Sequence, residues 1–492
     1  LNTVLRKSLP GLETSFRRVA ILALIYCIPA SEALLPIEDP DIWWHLRTGQ
    51  WIIAHAQVPV TDPFSTYGTG KPWVAYSWLF EILVYALYRN FGLSGILFFT
   101  VAMSLLVGLS VHILIRQARF PFALEAFLVA VMLVSMKPLM SPRPWLISIV
   151  FFAVQLLILK HFKRPPKTAT FWSLPVLYIL WANFHIQFIY GLVVICFLVV
   201  EGLILTVVGR ERPSEKSQRV PTGSLILVGA ACVLATLANP YGYNIYRQVI
   251  EYSLLTEAFQ SVQELQPLSF RSWTDWVVLA LALSGAFVLG SKRRLLPFPL
   301  LLLLLGCFLG FRARRDVWVT LLAAAFIISE HLVVSGSPDK FQLTRGRVLA
   351  LLGGITIGIG MIGWYRQLSE SNLRTAVERQ YPVKAVEFVK QNNYGGPLFN
   401  SFNWGGYLIW GLPQIPVSID GRGNIHGYRV EVSLNSWMGY PGWDSNRELM
   451  DSRIVIAEIR WPLASWLRTD SRFKLVYEDA IAAVFVRNLA KN

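Results

Sequence analysis

Apolar runs near 18–36, 94–115, 121–137, 145–160, 170–185, 188–208, 222–239, 273–290, 295–311, 317–334 and 348–365 divide most of this chain. Each is close to the roughly 20 residues that an α-helix needs to cross the hydrocarbon core of a bilayer. Lipid offers no hydrogen-bond partner to a backbone N–H or C=O. A spanning segment must therefore satisfy its own backbone as a helix or join a closed barrel. These runs are continuous rather than alternating, which selects helices. Only 15% of the 492 residues are charged and 54% are hydrophobic, against roughly 25% charged in soluble domains. The sequence thus predicts an α-helical polytopic membrane protein with 11 spans, or 12 if the segment 74–92, which contains Glu81, also crosses.

The formal net charge of +15 does not point to nucleic acid. Basic residues fall in short clusters between the apolar runs: Arg17/Arg18, Arg116/Arg119, Lys160/Lys163/Arg164/Lys167, Arg210/Arg212/Lys216/Arg219, Lys292/Arg293/Arg294 and Lys340/Arg345/Arg347. That is the positive-inside pattern of cytoplasmic loops. On this count the N-terminus is cytoplasmic. The loop 37–93, the turn 137–144, the junction at His185, the stretches 239–272 and 312–316, and everything after Tyr365 face outward. Arg6, Lys7 and the apolar stretch behind them resemble a signal peptide. They run into a polar loop without a clear cleavage site and are read as a retained first span. Cys27, Cys196, Cys232 and Cys307 lie inside apolar runs and form neither a disulfide framework nor a zinc spacing.

Residues 1–365 are therefore read as a transmembrane domain and 366–492 as a small extracytoplasmic α/β domain. In the tail, charges become frequent and short segments alternate with Gly, Pro and Asn. A helix is expected over Val383–Gln391, with Pro382 in its first turn. Strands are expected at Pro397–Ser401, Ile415–Ile419, Arg453–Ile459, Lys474–Glu478 and Ile481–Val486.

The densest chemistry is Glu38-Asp39-Pro40-Asp41-Ile42-Trp43-Trp44-His45-Leu46-Arg47, directly after the first apolar run. Ionisable groups at a lipid boundary are costly and are usually kept for function. A carboxylate here could serve as general base toward a hydroxyl, or bind a divalent metal, Mg or Mn, through Asp39, Asp41 and His45. Asp41 and His45 share a face if 41–54 is helical. The plainer reading is that Asp39 or Asp41 caps that helix while the tryptophans anchor it. Asp62, before Pro63, reads as a turn residue, and Lys71 as an exposed lysine.

Basic residues on the outward side break the charge rule. Arg143 lies between two prolines, and Arg312, Arg314 and Arg315 cluster before Asp316. Arginine suits bidentate recognition of phosphate; ion pairing with Asp316 or loop carboxylates is the alternative. His185, in Asn183-Phe184-His185-Ile186-Gln187, could contact substrate or simply satisfy a helix junction. Asn403-Trp-Gly-Gly-Tyr407 and Asp420-Gly-Arg-Gly423 read as glycine-rich turns, with Asp420 and Arg422 as candidates to line a sugar- or lipid-facing groove. No nucleotide-binding glycine motif, serine-hydrolase elbow or zinc-protease motif occurs.

With these residues in view, the chain resembles the GT-C type integral-membrane glycosyltransferases. That group includes dolichyl-phosphate-mannose protein mannosyltransferases and bacterial enzymes that move sugars from polyprenyl phosphate onto lipid A. The resemblance rests on one span, a long acidic first external loop, about ten further spans and an external tail. Its local carriers are Asp41-Ile-Trp-Trp-His-Leu-Arg-Thr-Gly49, Asp62-Pro-Phe-Ser65, Trp181-Ala-Asn-Phe-His185 and Asn239-Pro-Tyr-Gly242. It implies a first-loop catalytic acid, best matched by Asp41 with Asp39 as alternative. It also implies a lipid-linked sugar donor and an acceptor glycan, lipid or protein outside a bacterial inner membrane, in the cell envelope. A non-catalytic assembly subunit, or a polyprenol-linked sugar transporter, is the competing reading.

Overall fold

Every one of the apolar runs becomes a helix. The computed structural model describes residues 2–161, 168–208, 220–254, 262–292, 297–334 and 343–488. Lys163, Arg164, Lys167, Arg210, Arg212, Lys216, Arg219, Arg293, Arg294 and Lys340 of the basic clusters lie outside the described residues. Leu93–Arg116, Phe122–Leu139, Phe188–Val207, Trp273–Gly290 and Arg345–Tyr365 are long and apolar enough to cross a membrane. Trp145–Lys160, Trp172–Phe184, Thr222–Thr236 and Pro297–Arg312 are shorter apolar helices. The chain is a multi-pass membrane protein.

The chain divides into two compact units. The first comprises 1–35, 97–239 and 264–368; the second comprises 36–96, 240–263 and 369–492. The tail is thus grouped with the first loop and the segment 240–263.

In the first unit, small residues let helices approach closely. Helix–helix association in lipid has no hydrophobic drive and depends on such packing. Gly354 and Gly358, one turn apart on Arg345–Tyr365, face Ala23 and Cys27, one turn apart on Asn2–Ala33; a Cβ at either glycine would crowd them. Gly306 and Gly310 on Pro297–Arg312 meet Val317 and Thr320 in the same way, and Thr320 Oγ1 donates to Gly306 O at 2.7 Å. The buried Glu125 carboxylate is partnered, as low dielectric favours. His112 Nε2 and Arg116 Nη1 both reach Glu125 Oε1, at 2.8 and 2.9 Å.

The second unit carries a four-stranded sheet in the order β1 (Leu398–Asn400), β2 (Ile454–Glu458), β4 (Ala482–Arg487), β3 (Phe473–Glu478). β1 and β2 are parallel, while β2–β4 and β4–β3 are antiparallel. The five residues of β2 are all buried, as expected where both sheet faces are covered. Phe399, Trp437, Leu449, Val455, Leu463, Leu467 and Phe485 form the core on one side of it. The helix Val383–Gln391 and four of the five expected strands are present. Ile415–Ile419 is not a strand. Val417 makes only one bridge, to Ser65, through Val417 N–H to Phe64 O at 3.1 Å and Thr66 N–H to Val417 O at 2.9 Å. The first loop, rather than a neighbouring strand, takes its hydrogen bonds.

Aromatic packing ties the first loop to the tail. Trp43 sits edge-on to Tyr381 and Tyr407, at centroid distances of 5.5 and 5.1 Å, and those two tyrosines stack on each other. Tyr381 Oη and Gln380 Nε2 both donate to the carbonyl of Glu38, at 3.1 and 3.0 Å. Burying aromatics of this size contributes about 2 kcal/mol each.

Candidate functional site

The acidic motif opens the helix Ile42–His55, one residue from the expected start. Asp41 occupies its N-cap position but its side chain makes no capping bond. Asp39 Oδ1 instead accepts the Asp41 N–H at 3.0 Å, which turns the chain into the helix. The Asp41 carboxylate, half-buried, lies against the backbone of Gly421: a Cβ added at Gly421 would overlap Asp41 Oδ1. Gly406 is likewise packed against the Pro40 carbonyl, and Gly405 against that of Ile419. The Asn403–Tyr407 motif is thus part of a helix, Phe402–Gly411, and not a turn. Its glycines permit close approach to Pro40 on one side and to the chain entering Asp420 on the other.

His45 does not join Asp39 and Asp41. It is 2% exposed, stacked beside Trp44, with Nδ1 at 3.2 Å from Glu81 Oε1 on the helix Trp78–Phe91. That helix packs on Ile42–His55 across Gly49, where a Cβ would strike the Glu81 carbonyl. Burial pushes the Glu81 carboxyl well above its ordinary value, only partly opposed by Arg422. Among the described residues no group of three or more His, Cys, Asp or Glu is arranged to hold a metal. His45 is engaged with Glu81.

Behind Gly421 lies a buried charge network that sequence reasoning missed. Arg422 is 3% exposed. Its Nε and Nη2 donate to Asp420 Oδ1 and Oδ2, each at 2.8 Å, and its Nη1 donates to Asp62 Oδ1 at 2.7 Å. The guanidinium also covers the Trp73 and Phe64 rings, at 4.6 and 5.2 Å. Asp62 further accepts the Phe64 N–H at 3.0 Å and the Ser65 hydroxyl. So the turn role read from Asp62-Pro63 holds, with an ion pair added. Arg429 Nη1 reaches His426 Nδ1 at 3.2 Å, and a guanidinium can only donate. His426 Nε2 lies 3.1 Å from Asp420 Oδ2 and accepts the Asp420 backbone N–H at 3.3 Å. Burial alone would raise Asp420, but Arg422 and His426 outweigh it and hold that carboxyl far below the usual range. Burial would lower Arg422, and Asp420 and Asp62 raise it instead. Asp420 and Arg422 do not line a groove; they are spent on each other and on Asp62. A salt bridge between residues 360 apart leaves no local signal in sequence. The hint available was a charged Asp-Gly-Arg-Gly in an otherwise apolar stretch.

In the first unit, the four outward arginines and His185 separate into different environments. Arg143 and Arg315 both face Glu264, at 3.7 and 4.0 Å, and both stand close enough to His185 to bear on its charge. His185 Nδ1 is hydrogen-bonded to Ser148 Oγ at 2.8 Å, and Trp181 Nε1 donates to the same oxygen. Asp316 accepts from Gln187 Nε2 at 2.7 Å and from Tyr190 Oη at 3.0 Å. Arg314 turns to Ser269 Oγ at 2.7 Å, and Arg312 lies over the Phe308 ring at 5.8 Å. Arg143, His185 and Arg315 thus form one group, which Arg312 and Arg314 do not complete. Their pairing with a loop carboxylate is realised, at separations longer than a hydrogen bond.

The other motifs have structural tasks. Tyr241 Oη donates to Pro59 O at 2.9 Å and accepts the Ala75 N–H at 3.0 Å, bracing the first loop. Asn183 Nδ2 donates to Ile179 O and Ala238 O, joining two helix ends.

No family model and no curated protein matches this chain. Solved structures of the Archaeoglobus fulgidus oligosaccharyltransferase are similar to it. One carries a tethered acceptor peptide containing the NVT sequon (12% identity, TM-score 0.51), and another, AglB, an inhibitory peptide and a dolichol-phosphate (12%, TM-score 0.52). Each similarity covers 90% of this chain and 69% of the other. At that identity the likeness is one of fold: the chain has the GT-C fold, as an archaeal oligosaccharyltransferase does.

Proposed function

We propose that this protein is a membrane glycosyltransferase that moves a sugar from a polyprenyl-phosphate donor to an extracytoplasmic acceptor hydroxyl, in one inverting displacement. The observation that carries the reading is the state of Asp41. It stands at a helix start with its carboxylate against the glycine backbone at 421, in a fold shared with an oligosaccharyltransferase. In the reaction, Asp41 takes the acceptor proton as the acceptor oxygen bonds to the anomeric carbon. The bond from that carbon to the donor phosphate oxygen breaks, and its electron pair leaves with the lipid phosphate. Asp39 fixes the Asp41 backbone. The growing charge on the leaving phosphate is of the kind that guanidinium groups stabilise; the candidates for that task are Arg143 and Arg315, then Arg312 and Arg314, with His185 hydrogen-bonded to Ser148.

The orientation belongs to the same reading: N-terminus in the cytoplasm, first loop and residues after 365 outside, in a bacterial inner membrane. The archaeal structures with dolichol-phosphate and a sequon peptide support a lipid-linked donor and, among the acceptor classes glycan, lipid and protein, favour protein.

The test incubates the purified full chain in lipid nanodiscs with polyprenyl-phosphate sugars and a membrane extract supplying acceptors. Release of polyprenyl phosphate is expected. Arg143→Gln and Arg315→Gln should each raise the donor KM by about 10-fold or more, the value of one charge-assisted hydrogen bond. No release with any donor would overturn the reading and favour a non-catalytic assembly subunit.

A further inference from the structure

We infer that Arg422 and Gly421 are positioning residues for Asp41: Arg422 locks the Asp420–Arg422 turn, and the bare backbone of Gly421 sets where the Asp41 carboxylate rests. The inference rests on the reading of Asp41 as the base. Three observations lead to it. Gly421 is the residue whose Cβ position coincides with Asp41 Oδ1. It is flanked on both sides by one bidentate pair, Arg422 on Asp420, with the Arg422 N–H also donating to Asp420 Oδ1 at 2.9 Å. The turn is then anchored to the first loop itself through Asp62 at 2.7 Å. A guanidinium fork bonded at three points and covered by two rings has one geometry available to it. The same loop therefore supplies the carboxylate to be placed and the carboxylate that fixes the placing turn.

The neighbouring backbone agrees. Asp41 is held at its own N–H by Asp39 and at its carbonyl by the His45 N–H at 3.1 Å. Its carboxylate lies against the backbone of Gly421. A side chain at 421 would fill that place while leaving Arg422, Asp420 and Asp62 paired. The effect of Gly421→Ala on Asp41 can thus be separated from damage to the fold.

Two readouts test this in the full chain in nanodiscs, with thermal unfolding confirming that each variant is folded. The first needs no substrate. Asp41→Cys is labelled with 2-sulfonatoethyl methanethiosulfonate, and modification at position 41 is followed by peptide mass spectrometry. Adding Gly421→Ala should raise the labelling rate several-fold, as the thiol is displaced from the turn. Arg422→Lys, which keeps the charge but loses the fork, should act in the same direction with a smaller effect; it stands in if Gly421→Ala does not fold. The second readout is transfer. Gly421→Ala in the Asp41 protein should lower kcat by about 10²-fold, the cost of a misplacement near 1 Å, with donor KM within about 3-fold. Unchanged labelling and unchanged kcat in folded variants would overturn the inference. Altered labelling in a chain that turns over no donor would support the positioning and sink the transferase reading. Turnover in which Asp41→Asn equals the parent would remove the base, and with it this role of the turn.

Discussion

Asp62, Asp420 and Arg422 show how far a residue's role can depart from its neighbourhood in sequence. Each looks like turn chemistry locally, and each is fully enclosed in the fold. Breaking a buried ion pair from one side leaves an uncompensated charge, which costs about 3–5 kcal/mol. Arg422→Ala and Asp62→Ala should therefore lower the unfolding midpoint sharply in chemical denaturation. Exposed Arg447, paired with Asp451 at 3.7 Å, should be silent when replaced. The titrations differ in sign. Asp420 is depressed in the fold, so its stabilisation is present above the unfolded value of about 3.9 and is lost only as pH falls through the lower folded value. Glu81 is raised, so the native state holds its proton above the unfolded value of about 4.3, and stability falls as pH rises toward the folded value. Glu81→Gln should flatten that slope and raise the melting temperature at pH 8 relative to the parent. A steeper slope in the variant would refute the assignment.

At the scale of elements, the apolar runs and the helices correspond because a span cannot borrow hydrogen bonds from lipid. Length and hydropathy therefore locate each span, while its ends shift by several residues, as where the run 18–36 lies in the helix Asn2–Ala33. Val383–Gln391 was equally legible, since Pro382 marks its first turn. What periodicity could not supply was partnership. Ile415–Ile419 has strand composition, yet Val417 finds only the first loop to pair with, and the segment forms no ladder. The glycine pairs Gly354/Gly358 and Gly306/Gly310 carry a readable four-residue spacing, but which helix they face becomes visible only in the packing. Gly358→Leu should overfill the contact with Cys27 and destabilise by about 1–3 kcal/mol. Gly353→Leu, with nothing within 4 Å of its Cβ position, should not. Thermal unfolding in one detergent compares the two directly.

At the scale of the whole molecule, the GT-C architecture was legible because topology is written in span order and loop length. The composition of the second unit was not. It gathers 36–96, 240–263 and 369–492, and the bonds that gather them, Tyr241 to Pro59, Trp43 to Tyr381 and Arg422 to Asp62, each join residues more than 150 apart. Such long-range contacts leave no periodic trace. For the same reason the acid of the first loop stands out in the sequence, while the segment it rests on reads there only as a glycine-rich turn. The account stands on Asp41 acting as base, and one comparison bears on it most directly. Release of polyprenyl phosphate is measured for the parent chain and for Asp41→Asn, at equal folded protein and saturating donor. The account predicts a fall of about 10²–10⁴-fold, the usual worth of a general base. Equal release from the two proteins would contradict it.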